Sequence, residues 1–309
     1  MTKFKARRGH GVFEVLAYLL LGNALLIILN NIVNGYLERN LVIVSSFVYS
    51  IVCIYYILLD LSLVYEVNDD YIEINCFKGL KKFRINFKDV NGFLEQDKVI
   101  NGFKLSGFGK HKYCFGRCVV HNVGIARMFV TSSKRVIYIH TEDISYGLSP
   151  DEFEKFKELI VSKGIKEESF KVKVNNARAI IRDKGFYIPF IITSLLILGI
   201  ILIPSILYLS GAMPDKMPID FSAHFIPCTI GSAKDFVGRQ IIYGIMNMIL
   251  LVCIYYASHF CAKYDKKLAQ RYIYLSLIIS LVFLVMKEAP AHTMAIRLLM
   301  NLTAKVPVS

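Results

Sequence analysis

The sequence predicts an α+β membrane protein: about five transmembrane helices, with a mostly β cytoplasmic domain over 65–164 inserted between the second and third. Three observations carry this. Of the 309 residues, 55% are apolar, more than a water-soluble chain of this length usually holds. These residues collect in uninterrupted runs of about 20, enough to cross the ~30 Å of a bilayer interior as helix. Between the second and third runs the pattern changes to short alternating stretches, which read as strands.

The first two passes form a transmembrane hairpin within 1–64. The first helix, at 13–33, follows a basic start of Lys3, Lys5, Arg7 and Arg8. It is too long for a signal peptide and lacks a small-residue cleavage site, so it is read as retained. The second is placed at 41–65, the third at 186–210, the fourth at 238–262 and the fifth at 272–302, where Lys287, Glu288 and Pro290 interrupt the apolar stretch. The chain has no Trp, so Tyr18, Tyr36, Tyr187, Tyr208, Tyr243 and Tyr272 supply the interfacial aromatics.

Basic residues in short segments set orientation. They concentrate at the N-terminus and at Lys263, Lys266, Lys267 and Arg271, whereas the 34–40 turn holds only Arg39. Counting passes puts both basic segments on one side. The N-terminus and 65–164 are therefore expected in the cytoplasm, the 211–237 loop outside, and the protein in the cell membrane. The net charge of +13 suits a face lying against anionic lipid. No helix-turn-helix, RNA-binding aromatic motif or finger spacing supports a nucleic-acid partner. Of seven cysteines only Cys228 falls in the external loop, so no disulfide framework is implied.

Within 65–164, residues 71–75 and 81–87 read as a hairpin, with Phe83, Ile85 and Phe87 on one face. Further strands are predicted at 117–121, 126–131 and 135–140. Ser149-Pro150-Asp151-Glu152 reads as a capping box opening a helix, whose apolar face is Phe153, Phe156, Leu159 and Ile160 and whose stop is Gly164. This layout, together with Phe115-Gly116-Arg117, Gly124, Arg127, Thr131 and Ser149-Pro150, resembles the bacterial pleckstrin-homology (PH) domain of small membrane proteins. The resemblance implies a bent antiparallel sheet plugged by one C-terminal helix, and a binding or assembly role. It also places Lys78, Lys81, Lys82 and Arg84 where such domains hold lipid-contacting residues, here facing the anionic inner leaflet. His111, Cys114, Cys118 and His121 are residue types that zinc favours, but a strand through 117–121 turns Cys118 and His121 to opposite faces. The cluster is read as fortuitous. A basic linker follows over 165–185, with a surface helix at 174–181.

The external loop contains Met213-Pro214-Asp215-Lys216-Met217-Pro218-Ile219-Asp220-Phe221 and then Gly231-Ser232-Ala233-Lys234. Over about 186–245 the chain resembles the uncharacterised domain also found in the immunity protein against the sporulation-delay toxin. The resemblance marks Pro214, Asp215, Lys216, Pro218, Gly231, Ser232 and Lys234 as the loop's site. Asp220 stands where that family has His, so a role resting on the imidazole does not transfer. Two prolines stiffen the loop, either as a rigid linker or as a ligand-binding lip.

No P-loop, Gly-x-Ser-x-Gly, His-Glu-x-x-His or paired intramembrane aspartate occurs. The expectation is a non-enzymatic protein with no catalytic residue, cofactor or metal. It acts by binding, as an immunity, sensing or assembly factor, with inner-leaflet lipid and a protein or peptide as partners; an oligomer is compatible with the sequence. The alternative is a transporter or channel component, which Asn23, Asn30, Asn31, Asn34, Asp60 and the i,i+4 pair Glu288 and His292 would serve inside the helices.

Overall fold

The structure, a computed structural model, describes residues 1–33, 35–170, 183–221 and 226–303, with side chains up to Lys287. The chain divides into two compact units, Met1–Ile27 with Ser45–Val174, and Ile28–Val44 with Asn175–Ser309. The expectations at Asn34 and 174–181, and those for the Glu288 and His292 side chains, lie outside the described residues.

Helices α1 (Gly11–Ile32) and α2 (Tyr36–Ser62) supply the first two apolar helices, with residues 28–44 counted in the second unit. Helix α2 stops short of the expected 65 because Val64–Val67 is already strand β2. Leu63 and Tyr65, 3% and 0% exposed, belong to the β core. An apolar run conceals this switch, since helix and strand both bury such residues there.

A four-stranded antiparallel sheet contains β1 (Thr2–Lys5), β2, β3 (Tyr71–Cys76) and β4 (Lys81–Asn86), in that order. Strand β1 corrects the reading of the N-terminus as a mere basic flank. Phe4 pairs with Tyr65, is 3% exposed, and sets its ring edge-on to Phe156 at 5.1 Å. Lys3 pairs with Glu66 at 2.8 Å. Alternation explains the strand: Phe4 points inward between outward lysines.

The second sheet is built from β5 (Val90–Asp97), β6 (Gly102–Lys110), β7 (Tyr113–Val120), β8 (Gly124–Val130), β9 (Arg135–Thr141) and β10 (Ser145–Leu148). Its order is β5-β9-β10-β8-β7-β6, with β10 and β8 parallel. Gly116 lies inside strand β7. Gly107 and Gly116 are cross-strand partners with φ of 95° and 120°, and a Cβ on either would meet the opposite backbone oxygen at 2.1 or 2.3 Å. Only glycine permits that approach. One face of the sheet packs Phe93, Phe115, Phe129 and Ile139 against the other sheet and against α3 (Phe153–Ser162); the other face buries Cys114, Cys118, Met128 and Tyr138.

Ser149 does not cap α3. The cap residue is Glu152, without a side-chain bond. Ser149 is fully buried, and its Oγ accepts the Thr131 N–H at 3.0 Å while its own N–H donates to the Tyr65 hydroxyl at 3.2 Å. The residue directly follows β10, an interior strand of its sheet. Gly164, at φ 81°, follows the end of α3 as expected.

The second unit is built on α4 (Lys184–Leu209), α5 (Ala233–Ala262) and α6 (Lys266–Thr303). Helix α5 starts before the expected 238 because Ser232 and Asp235 form a reciprocal capping box, with bonds of 3.2 and 3.1 Å. Helix α6 starts at Lys266, so the basic 263–271 segment is a short turn followed by helix, with Asp183 paired to Lys266. Its backbone stays helical through Pro290. The expected loop contains an antiparallel hairpin of β11 (Lys216–Phe221) and β12 (Pro227–Ser232), with register shifts at Asp220. Among the described residues, five helices are long and apolar enough to cross a membrane: Gly11–Ile32, Tyr36–Ser62, Lys184–Leu209, Ala233–Ala262 and Lys266–Lys287.

Candidate functional site

The second unit places charge beside an apolar cavity. Arg239 and Tyr243 sit four apart on α5 and share a face. Arg239 donates to Asp220 Oδ2 on β11 at 2.6 Å and to Glu38 Oε1 on the first turn of α2 at 2.9 Å. Its Nε donates to the Tyr243 hydroxyl at 3.0 Å, and that hydroxyl donates to Glu38 Oε1 at 2.7 Å. The Glu38, Asp220 and Arg239 side chains are only 31%, 24% and 28% exposed. Two carboxylates face this guanidinium, and Lys287 brings a second cation to the wall of the cavity.

Two acceptors in this region are unused. Glu38 Oε2 and Gln240 Oε1 are buried and have no hydrogen-bond partner among the described residues, and Gln240 is 5% exposed. Such groups are costly unless a donor reaches them. Asp220, Gln240 and Tyr243 line a cavity of about 660 Å³ whose walls are otherwise largely apolar, including Ile200, Met217 and Phe236.

Of the loop residues singled out in the sequence, Asp220 and Pro218 reach this cavity. Asp220 is therefore committed to an ion pair rather than to open water. Pro218 pairs with Ile230 within the hairpin, and Lys216 with Ser232. Gly231 lies under Ile219, where a Cβ would meet Cδ1 at 2.0 Å, and Ser232 caps α5. Pro214, Asp215, Lys216 and Lys234 are exposed and contribute nothing to the cavity lining. Most of the motif thus builds the hairpin and its cap. Glu38, Arg239 and Gln240 were not found by motif, although an Arg four residues before a Tyr in an apolar helix is a legible signal.

The basic hairpin is less free than its composition suggests. Lys82 and Arg84 hold Glu73 at 2.9 and 2.7 Å, and the Glu73 side chain is 4% exposed. Arg84 first, then Lys82, keeps that carboxyl below its ordinary range. Lys81 donates to the Tyr55 hydroxyl on α2 at 3.0 Å, Lys78 occupies a left-handed turn at φ 54°, and Leu80 at the tip is 92% exposed. Asn23 accepts from Ser46 at 2.6 Å and donates to Ser50 at 3.0 Å, joining α1 to α2. His111 and His121 are exposed, whereas Cys114 and Cys118 are buried with sulfurs 2.9 Å apart. Among the described residues no three His, Cys, Asp or Glu side chains are placed to share a metal ion.

The fold and site define a multi-pass membrane protein with an inserted PH-like domain. Residues 63–164 match the bacterial PH domain family. The chain is 35% identical over 238 residues to an uncharacterised protein of Clostridium acetobutylicum, covering 77% of this chain and 80% of that one, and it belongs to one family with that protein. No solved structure matches it.

Proposed function

We propose that this protein works by binding, not catalysis: its hairpin-bearing cavity receives an apolar ligand with a cationic hydrogen-bond donor, such as a basic, apolar peptide. The observation that carries this is the pairing of an apolar cavity with two buried, unused acceptors, Gln240 Oε1 on its wall and Glu38 Oε2 next to its lining residue Leu37. A donor on the ligand satisfies an acceptor that is otherwise costly to bury. The resemblance over 186–245 to a toxin-immunity protein agrees with a peptide ligand and an immunity or sensing role. A transport path is less well supported, because the Asn23 side chain is occupied in joining two helices.

The cavity is assigned to the outer face and the PH-like domain to the cytoplasm. The basic N-terminus supports this orientation, and β1 pairing with β2 keeps that terminus on the same side as the domain. The Glu38–Arg239 pair likewise keeps the α1–α2 turn beside the β11–β12 hairpin, as alternating passes require. Leu80, Lys78 and Lys81 then meet the inner leaflet.

The test is binding of a dansyl-labelled long-chain alkylammonium to protein in nanodiscs, with empty nanodiscs subtracted and the equal-length carboxylate as comparison. Saturable binding of the ammonium alone, weakened by about tenfold in Gln240→Leu through loss of one hydrogen bond to a charged group, is expected. Equal binding of both amphiphiles, or an unchanged Gln240→Leu, would contradict the reading.

A further inference from the structure

A second constellation lies in the PH-like domain, and the binding role does not use it. Cys114 and Cys118 sit on one face of β7, opposite Phe115, with sulfurs 2.9 Å apart. Tyr138 of β9 lies in the same cluster, 0% exposed, and its hydroxyl has no hydrogen-bond partner among the described residues. Lys104 of β6 pairs with Cys118 across the ladder. The sulfurs are not sealed off: with Lys104 and His111 they line a cavity of about 300 Å³.

Two thiols in contact suit either a disulfide or a shared ion, and strand geometry separates these. Residues four apart in a straight strand stand about 13 Å apart at ~3.3 Å per residue, so the sulfur contact already takes up a bend of β7 between the two cysteines. A disulfide needs about 4.4–6.8 Å. The register with β8 is unbroken from Cys114 opposite Val130 to Cys118 opposite Ala126, so tighter folding would cost ladder bonds. With no third ligand among the described residues, tetrahedral zinc is not served either. Thiolates select soft ions such as copper(I).

We propose that Cys114 and Cys118 bind one soft monovalent ion, with the chemistry of copper(I), between two thiolates. Two S–H bonds break, two metal–sulfur bonds form, two protons leave to solvent and no electron moves. The complex carries one negative charge. The Lys104 ammonium offsets it, and the Tyr138 hydroxyl gains the acceptor it lacks by donating to a sulfur.

The test is anaerobic titration of the purified full-length protein with copper(I) against a chromophoric chelator, with X-ray absorption on the loaded wild type. One competitive equivalent with two sulfur neighbours is expected. It should be lost in Cys118→Ser, kept in Cys76→Ser, and weakened by about tenfold in Tyr138→Phe, as for loss of an outer-shell bond. Copper retained by Cys118→Ser, or nitrogen and oxygen neighbours in the wild type, would overturn the proposal. So would mild oxidation that removes two hydrogens from a protein taking up no copper.

Discussion

Arg239 is held from both sides, so its removal leaves Glu38 and Asp220 facing each other. The cost falls between that of exposed and of fully buried pairs. Arg239→Met should lower stability by about 2 kcal/mol, read as an earlier denaturation midpoint in detergent, and an additional Asp220→Asn should restore part of the loss. Asp220→His, although it restores a family residue, should also destabilise, because an imidazole cannot replace a carboxylate against the guanidinium. Acid should act through Glu73 and Glu95. Arg84 and Lys82 depress the Glu73 carboxyl; burial opposes the shift at Glu95, where Lys157 and Arg135 prevail. A depressed carboxyl contributes stability above its unfolded value of about 4.3, and this is lost as pH falls through the lower folded value. The melting temperature of the PH-like domain should therefore drop below about pH 4.3, less steeply in Glu73→Gln. Two serines show the limit of local reading. Ser149-Pro150-Asp151-Glu152 and Ser232-Ala233-Lys234-Asp235 both have a serine three before an acid, yet only Ser232 caps a helix. What separates them is Thr131, whose N–H needs Ser149 from 18 positions away. Ser149→Ala should still cost about 1–3 kcal/mol, through an orphaned buried donor rather than a lost cap.

At the scale of elements, β1 decides how the PH-like domain must be cut. A fragment beginning at residue 63 loses Phe4 and leaves β2 as an open edge. Phe4→Ala in the full chain should cost about 3–5 kcal/mol, the range for emptying a buried aromatic site. Thermal unfolding followed by near-ultraviolet circular dichroism would report it, and an unchanged midpoint would mean that β1 merely rests on the sheet. Strands with clean alternation, β3, β4, β8 and β9, were legible in the sequence. β6 was not, because Gly-Phe-Lys-Leu-Ser-Gly-Phe-Gly-Lys breaks its period with the glycines its neighbour requires. β10 has only four residues and pairs in parallel with β8, a non-local contact that no window detects. The β11–β12 hairpin was hidden by its prolines, which are tolerated in a two-stranded ribbon with free edges. The long apolar helices were legible because length and composition suffice for them; their ends were not, because caps and strand switches set those.

For the whole molecule, the proposed orientation is that the 211–237 loop lies outside and residues 65–164 inside. The charged cluster draws Glu38, Asp220 and Arg239 from three separate stretches, so no single motif could announce it. The basic segments behind the proposed orientation were plain in the sequence, because the rule depends on composition alone. Cys228 on β12 is exposed, and Leu80 offers an exposed position on the PH-like domain, whereas the native thiols Cys76, Cys114 and Cys118 are buried and would report burial rather than side. The most direct measurement is labelling of intact cells with a membrane-impermeant maleimide, comparing the native chain with Leu80→Cys in a Cys228→Ser background. Under the proposed orientation Cys228 reacts in intact cells and the cysteine at position 80 reacts only after permeabilisation; labelling of position 80 from outside, or of Cys228 only in opened cells, would contradict it.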